Sequence, residues 1–339
     1  MRAIVYTEKG PSSVLRLVDR PVPEPGVGEV RVKLVVAGVN PTDVKSRSGA
    51  AARGDHDEVT PGQDGAGTVD AVGIGVEGLA VGDRVWLYLA QHGQPHGTAA
   101  EYVTVPAERA VRLPDTVTGP EAFDLGAALG VPAITAHRAL TSGPVARLSP
   151  GSLAGLHVLV HGGAGAVGNA AIQLARWAGA SVIATVSSDE KGALARAAGA
   201  HHVVDYKHTD AAAGIRDAAP DGVDLIVEVA PAVNNELDQK VVKTGATIAF
   251  YANNGGDQLV LDIRPTFSLG LRYQGLLLYT LAPELLEAAV ADVSAAVAAG
   301  VLKVGEEHGL PLHRFPLDET AAAHDAVDGG AVGKVLIQI

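Results

Sequence analysis
The chain has 339 residues, 26 Lys and Arg against 38 Asp and Glu, no Cys, and 47% apolar residues of which few are aromatic. At ~100–200 residues per domain this length suits two domains, each with its own core. The missing thiols exclude Cys-ligated zinc, thiol nucleophiles and redox dithiols, and a formal charge of −12 is the wrong sign for tracking a phosphate backbone, so no nucleic-acid partner is expected.

In chain order, residues 1–10 (MRAIVYTEKG) read as a strand interrupted by a turn, without the apolar block of a signal peptide. Short β-type runs follow at Glu29–Ala37, Gly67–Val72 and Asp83–Leu89, broken by Pro21, Pro23, Pro25, Gly26 and the cluster Gly73, Gly75 and Gly78, with little room for helices. From about Leu125 the texture changes. Ala-rich helical stretches alternate with apolar strands at His157–His161, Ser181–Val186, His202–Val204, Val223–Val229 and Thr247–Tyr251, the βαβ pattern of a doubly wound parallel sheet. Between the first two strands, residues 167–178 read as a helix that Gly179 ends. Past Pro265 the pattern is mixed: Pro283–Ala299 is an amphipathic helix with Pro at its start, and Lys334–Ile339 closes as a strand. The longest leucine-rich run, Gly275–Ala282, is far shorter than the ~20 residues that span a bilayer, so no membrane partner and a cytoplasmic location are expected.

Chemistry concentrates in His157–Gly168 (HVLVHGGAGAVG), where an apolar strand runs into Gly163, Gly165 and Gly168 in G-x-G-x-x-G spacing and then into a helix. The first glycine suits a tight turn, the second lets backbone approach a pyrophosphate, and the third lets helix pack on strand, while the helix N-terminus offers free N–H groups to the anion. In a chain so rich in glycine the motif alone is weak; its flanking strands and helix make it informative. At the end of the next strand, where an NAD enzyme typically carries a carboxylate for the ribose, the chain reads Val186, Ser187, Ser188, with Lys191 one turn on. Two hydroxyls and an ammonium suit a 2′-phosphate, so NADPH is expected. Asp189 and Glu190 either open the following helix or meet a ribose and favour NADH. The histidines do not gather as metal ligands: His92 and His96 lie in a Gly/Pro loop without helical spacing, adjacent His201 and His202 point to opposite faces of a strand, and His208 is read with them as solvated.

The runs Gly38–Gly49, Pro61–Val69, Gly82–Val85, Gly97–Val105, Gly130–Leu140, Val223–Asn235 and Gly329–Lys334, together with the glycine motif, resemble the medium-chain dehydrogenase/reductase superfamily, and within it the zinc-independent quinone oxidoreductases of the zeta-crystallin type. The resemblance runs nearly end to end. It implies an α/β protein with a GroES-like, mostly-β catalytic domain at 1–124, completed by 266–339, around a Rossmann NADP-binding domain at 125–265, with the active site in the cleft and a homodimer formed through strands near Thr247–Tyr251 and Tyr273–Leu278. Where zinc-dependent relatives have a metal-binding Cys and His, this chain has Asn40 and Gln63, so no metal is expected. Without a Lewis acid to polarise an alcohol, the implied reaction is hydride delivery to an acceptor that is already electrophilic.

Residue by residue, the resemblance places Ala164, Gly165, Ala166 and Val167 over the pyrophosphate, Ser187 and Lys191 at the 2′-phosphate, and Tyr206 beside the adenine ribose. Asn234 occupies a contact position after the fourth strand. Phe250, Tyr251 and Ala252 would line the nicotinamide side with Leu278, Tyr279 and Lys334, and Asn40 and Thr135 would stand by the ring. Lys45 departs from the Tyr that close relatives often have. Asn40, Gln63, Lys45 and Tyr251 are the candidate hydrogen-bond donors to a quinone. The competing readings are an NADPH-dependent ene-reductase acting on unsaturated ketones or enoyl thioesters, with Tyr279 or Lys45 as proton donor, and a non-catalytic NADPH-binding protein. Each candidate also has an ordinary structural reading: Tyr206 and Tyr279 as core residues, Asn40 before Pro41 as a turn former, Lys191 as a solvated helix charge.

Overall fold
The computed structural model describes residues 1–51 and 56–339, which form two units, Met1–Val131 with Leu312–Ile339 and Pro132–Pro311. The first begins with a two-stranded antiparallel ladder, β1 (Arg2–Val5) on β2 (Arg16–Asp19). The strand β3 (Glu29–Val39) then leads into the helix α1 (Pro41–Ser48), and β4 (Asp64–Val72), β5 (Arg84–Leu87), β6 (Tyr102–Pro106) and β7 (Ala110–Arg112) follow. β3 is central, pairing antiparallel with β4 and β6. Its Val30, Val32 and Leu34 alternate inward against Val69, Val85, Leu87, Val103 and Val105. At ~1.5–3 kcal/mol for each fully buried aliphatic side chain, this layer supplies much of the unit's drive to fold.

α1 is a departure from the expected helix-poor opening. Asn40 stands extended before Pro41 at the first helical position, the backbone N–H of Asn40 donates to Asp43 Oδ2 at 2.8 Å, and Gly49 ends the helix at a φ of 88°.

The helix α2 (Glu121–Leu140) leads to the second unit's sheet. There β8 (His157–His161), α3 (Ala166–Trp177), β9 (Ser181–Val186), α4 (Asp189–Ala197), β10 (His202–Asp205), α5 (Ala211–Ala218), β11 (Val223–Glu228), α6 (Pro231–Val241), β12 (Val242–Phe250), α7 (Ile263–Ser268), β13 (Arg272–Gly275) and α8 (Pro283–Ala298) follow in turn. The six strands are parallel in the order β10-β9-β8-β11-β12-β13. Leu159, Ile183, Ile226 and Ile248 sit in one buried cluster with the helix residues Ile215 and Val241, the near-continuous apolar pattern of a covered parallel sheet. The order reverses between β8 and β11, and crevices at such a reversal, beyond the carboxyl ends of the strands, are where doubly wound sheets bind ligands.

Residues 266–311 do not return to the first unit as the resemblance implied. β13 extends the parallel sheet with Thr247 opposite Arg272, and Asp292 of α8 is tied to α2 and the segment after it, accepting from Arg147 and the Leu148 N–H and bonding His137 Nε2 at 2.8 Å. The return begins at Leu312. β14 (Leu312–Pro316) pairs parallel with β15 (Lys334–Gln338), β15 pairs antiparallel with β3, and α9 (Thr320–Asp328) lies between them in sequence. No helix among the described residues is long and apolar enough to cross a membrane.

Candidate active site
In the first unit the chain buries a polar network among β3, β4 and β15. Lys334 opens β15 and is 2% exposed, and Asp64 opens β4 with no exposure at all. The Lys334 ammonium donates to Asn40 Oδ1 at 2.7 Å and to Asp64 Oδ2 at 3.3 Å. Asn40 Nδ2 donates to the same Asp64 oxygen at 2.8 Å, and the Val131 N–H donates to Asp64 Oδ1 at 2.8 Å. Burial pushes Asp64 up against the pull of Lys334 and Asn40, and pushes Lys334 down against Asp64 and Asp43. Glycines make the room: a Cβ at Gly130 would lie 2.1 Å from Asp64 Oδ1, and one at Gly38 would lie 2.9 Å from Lys334 Cε.

Asn40 therefore caps α1 through its backbone and ties Lys334 to Asp64 through its side chain. Gln63, next to Asp64, is also buried; its Nε2 donates to Gln91 Oε1 at 3.4 Å, and its Oε1 has no hydrogen-bond partner among the described residues. Lys45 stands half-buried on α1. Lys334, expected beside the cofactor, has its ammonium engaged by Asn40 and Asp64.

The second unit carries the dinucleotide features. Gly162, not Gly163, takes the left-handed conformation of the turn, at a φ of 68°. Gly163 is needed for space, because a Cβ there would sit 2.9 Å from that of Ala184. A Cβ at Gly168 would sit 2.3 Å from the Gly162 carbonyl oxygen, which fixes the close approach of α3 to the turn. Gly165 is exposed and caps α3, followed by the half-buried Ala166 and Val167. The first N–H groups of α3 thus face outward without competing side chains, as an anion site requires. Ala164 is buried.

At the end of β9, Lys191 Nζ donates to Ser187 Oγ at 3.0 Å, so the two residues expected at a 2′-phosphate do meet. Ser188 caps α4, and Asp189 and Glu190 form its exposed first turn. The Tyr206 N–H donates to the Val186 carbonyl at 3.1 Å, which brings the half-exposed Tyr206 to the same corner. His201 is exposed, as expected, and its Nδ1 also accepts from the Val182 N–H at 2.9 Å.

At the far side of the sheet Phe250 ends β12, with its ring over Gly275 of β13, and Tyr251 and Ala252 follow half-buried. Burial and the neighbouring Glu228 push the Tyr251 phenol up, which keeps it a proton-bearing donor. Leu278, buried, and Tyr279, half-buried, lie in a 3-10 turn after β13, and Thr135 is buried on α2. Asn234 on α6 donates through Nδ2 to Glu228 Oε1 at 3.0 Å.

Sequence reasoning missed Asp64 and, in the second unit, a buried trio of His161, Glu228 and Asp238. His161 Nε2 lies 2.8 Å from Asp238 Oδ1 and 3.5 Å from Glu228 Oε2, and its Nδ1 lies 2.7 Å from Thr185 Oγ1. The missed signals were present. Asp64 adjoins Gln63 in the quoted run, and His161 and Glu228 are the polar residues that close two apolar strands.

Residues 26–115 match the alcohol dehydrogenase GroES-like domain, and residues 166–295 match the zinc-binding dehydrogenase domain. The chain is 33% identical over 343 aligned positions to a quinone oxidoreductase of Rattus norvegicus, covering 99% of this chain and 97% of the relative. Among solved structures it is similar to a mycobacterial protein complexed with NADPH (31% identity, TM-score 0.83, both chains covered in full). It is equally similar to an NAD-dependent alcohol dehydrogenase (31% identity, TM-score 0.85, both chains covered in full).

Proposed function
Because the chain belongs to the zinc-independent quinone oxidoreductase family of medium-chain dehydrogenases/reductases, we propose that it is an NADPH-dependent reductase of quinones. The observation that carries the cofactor choice is the Ser187–Lys191 pair at the end of β9, which offers a hydroxyl and an ammonium 3.0 Å apart where a carboxylate would repel a 2′-phosphate. The bare turn at Gly165 and the outward N–H groups of α3 fit a pyrophosphate. NADPH, when bound, supplies the hydride.

The chain's own residues then have to bind and orient an acceptor and answer the charge that develops on its oxygens. Asn40 and Gln63 stand where zinc-dependent relatives hold metal. The Asn40 amide oxygen already accepts from the Lys334 ammonium at 2.7 Å, so this side chain suits hydrogen bonding to a carbonyl oxygen through its amide nitrogen rather than metal ligation. Among the described residues each amide nitrogen makes one hydrogen bond, Asn40 to Asp64 and Gln63 to Gln91, and each carries two N–H groups. The buried ammonium of Lys334 lends positive potential to Asn40. Lys45 on α1 is the further donor candidate of the first unit, and Tyr251, whose phenol stays protonated, is the candidate of the second.

For association, the reading is a homodimer through β13. Supporting it, β13 is the edge of its sheet, and Phe267 and Leu277 on either side of it are 61% and 51% exposed.

The test follows absorbance of NADPH and of NADH against ortho-quinones, para-quinones, alkenals and enoyl thioesters. NADPH-linked turnover of quinones is expected. Turnover of the alkenals or thioesters but of no quinone would replace this reading with an ene-reductase, and equal use of NADH would refute the role of Ser187 and Lys191.

A further inference from the structure
The trio His161, Glu228 and Asp238 lies where the strand order reverses. His161 ends β8, immediately before the glycine turn, Glu228 ends β11, and Asp238 comes from α6. All three are buried, Glu228 and Asp238 with no exposure. Glu228 also faces outward from this cluster. Its Oε1 accepts the Ala230 N–H at 2.5 Å and the Asn234 amide at 3.0 Å, and its backbone carbonyl accepts the Tyr251 N–H at 3.1 Å. One carboxyl thus fixes the turn from β11 into α6, and one backbone carbonyl fixes the end of β12.

Behind that turn the charges do not balance. An imidazolium with two carboxylates is a net negative charge in a site closed to water, which is costly. Glu228 Oε2 and Asp238 Oδ2 also have no hydrogen-bond partner among the described residues. One proton on Glu228 answers both problems, because it neutralises the trio and supplies a donor for the facing Asp238. The other titratable groups at hand are phenols that stay neutral: Tyr251 beside Glu228, and Tyr273 of β13 near Asp238, whose hydroxyl is bonded to Asn235 and Gln239.

We propose that Glu228 is a positioning residue for the dinucleotide: kept protonated by its burial and by the facing Asp238, it holds the Ala230 backbone and the Asn234 amide in place for the cofactor, and its ionisation weakens cofactor binding. The inference rests on the reading of this unit as an NADPH site. Burial raises the Glu228 carboxyl, against the pull of His161 and with the push of Asp238, to about 7. Asp238 and Glu228 together raise His161 against its burial. The sign follows. Below that range the trio is neutral; above it a buried negative charge lies beneath a site built for a polyanion.

The experiment titrates NADPH by its fluorescence from about pH 6 to about pH 9, with steady-state kinetics on a quinone alongside. Affinity is expected to fall as pH rises through about 7 in the wild type. Glu228→Gln keeps an acceptor for the turn and cannot ionise, so it should bind as the wild type does at low pH and lose the fall. It also separates the trio from the 2′-phosphate of the nucleotide, which titrates nearby. Glu228→Ala should bind about tenfold or more weakly at every pH, as expected for two lost hydrogen bonds, with KM for NADPH rising much more than kcat falls. Wild-type affinity that does not change with pH, or the same pH dependence in Glu228→Gln, overturns the inference while the cofactor reading stands. Stoichiometric binding of Zn2+ or Mn2+ that Asp238→Asn abolishes overturns it in favour of a metal ion as the missing positive charge. If the wild type takes up no NADPH at any pH, the reading of the unit fails as well.

Discussion
Replacing Lys334 with Met isolates what its charge does. The two side chains are close in length and volume, so the substitution removes an ammonium without opening a large cavity. What is lost is a 2.7 Å bond to Asn40 and the countercharge 3.3 Å from an Asp64 that has no exposure to water. Breaking a buried ion pair from one side costs about 3–5 kcal/mol, mostly as the penalty of leaving the other charge alone. Against a usual total of about 5–15 kcal/mol, that loss is visible in urea denaturation as a lower midpoint with an unchanged slope. Lys334→Met with Asp64→Asn should cost less than the two single changes added together, by about 2 kcal/mol or more of coupling. The effect also has a direction in pH. Burial already raises Asp64, and removing Lys334 raises it further. A carboxyl whose folded value exceeds its unfolded value loses stability as pH rises through the folded value, so the deficit of Lys334→Met should be smaller under mildly acidic conditions than under alkaline ones. A single-variant cost below about 1 kcal/mol, unchanged with pH, would mean that Lys334 is not buried against Asp64 in solution.

Two further expectations concern other parts of the chain. Lys191→Ala should weaken NADPH binding by about 10–100-fold, the worth of one charge-assisted phosphate contact, and leave NADH binding unchanged; equal loss for both nucleotides in a binding titration would refute the 2′-phosphate role. His324, buried on α9, is pushed down to about 4 by burial and by nearby Arg47. Its unfolded form takes up a proton near pH 6.5 and its folded form does not, so stability falls as pH drops from about 6.5 to about 4, by about 3 kcal/mol in all. His324→Leu should flatten that limb of a stability–pH curve, and an unchanged limb would assign the acid loss elsewhere.

The parts legible in the sequence are those set by local pattern. The strands of the second unit's sheet and the helix after the glycine motif are carried by apolar runs and turn residues that need no distant partner. Ser187 and Lys191 are four residues apart across a strand end and a helix start, so their meeting is nearly local too. The rest depends on contacts remote in sequence. Asp64 and Lys334 are 270 residues apart, and neither run shows the other. The trio is similar: His161 and Asp238 are separated by 77 positions and read singly as a strand end and a helix polar face. α1 was within reach, since Asn40, Pro41 and Asp43 spell a helix start, but a Pro after an Asn reads equally as a turn. The placement of 266–311 was obscured by β13, a short edge strand with only Tyr273 partly covered.

The buried charge of the first unit is specified largely by residues that carry none. Gly38 and Gly130 contribute no atoms to the network, yet each leaves free the volume that one of its members occupies. Transplanting Asp64, Asn40 and Lys334 into a related scaffold with Ala at these two positions would transfer the charges without the vacancy that holds them. For such a graft the five positions form one inseparable unit, and the two silent ones must be moved first.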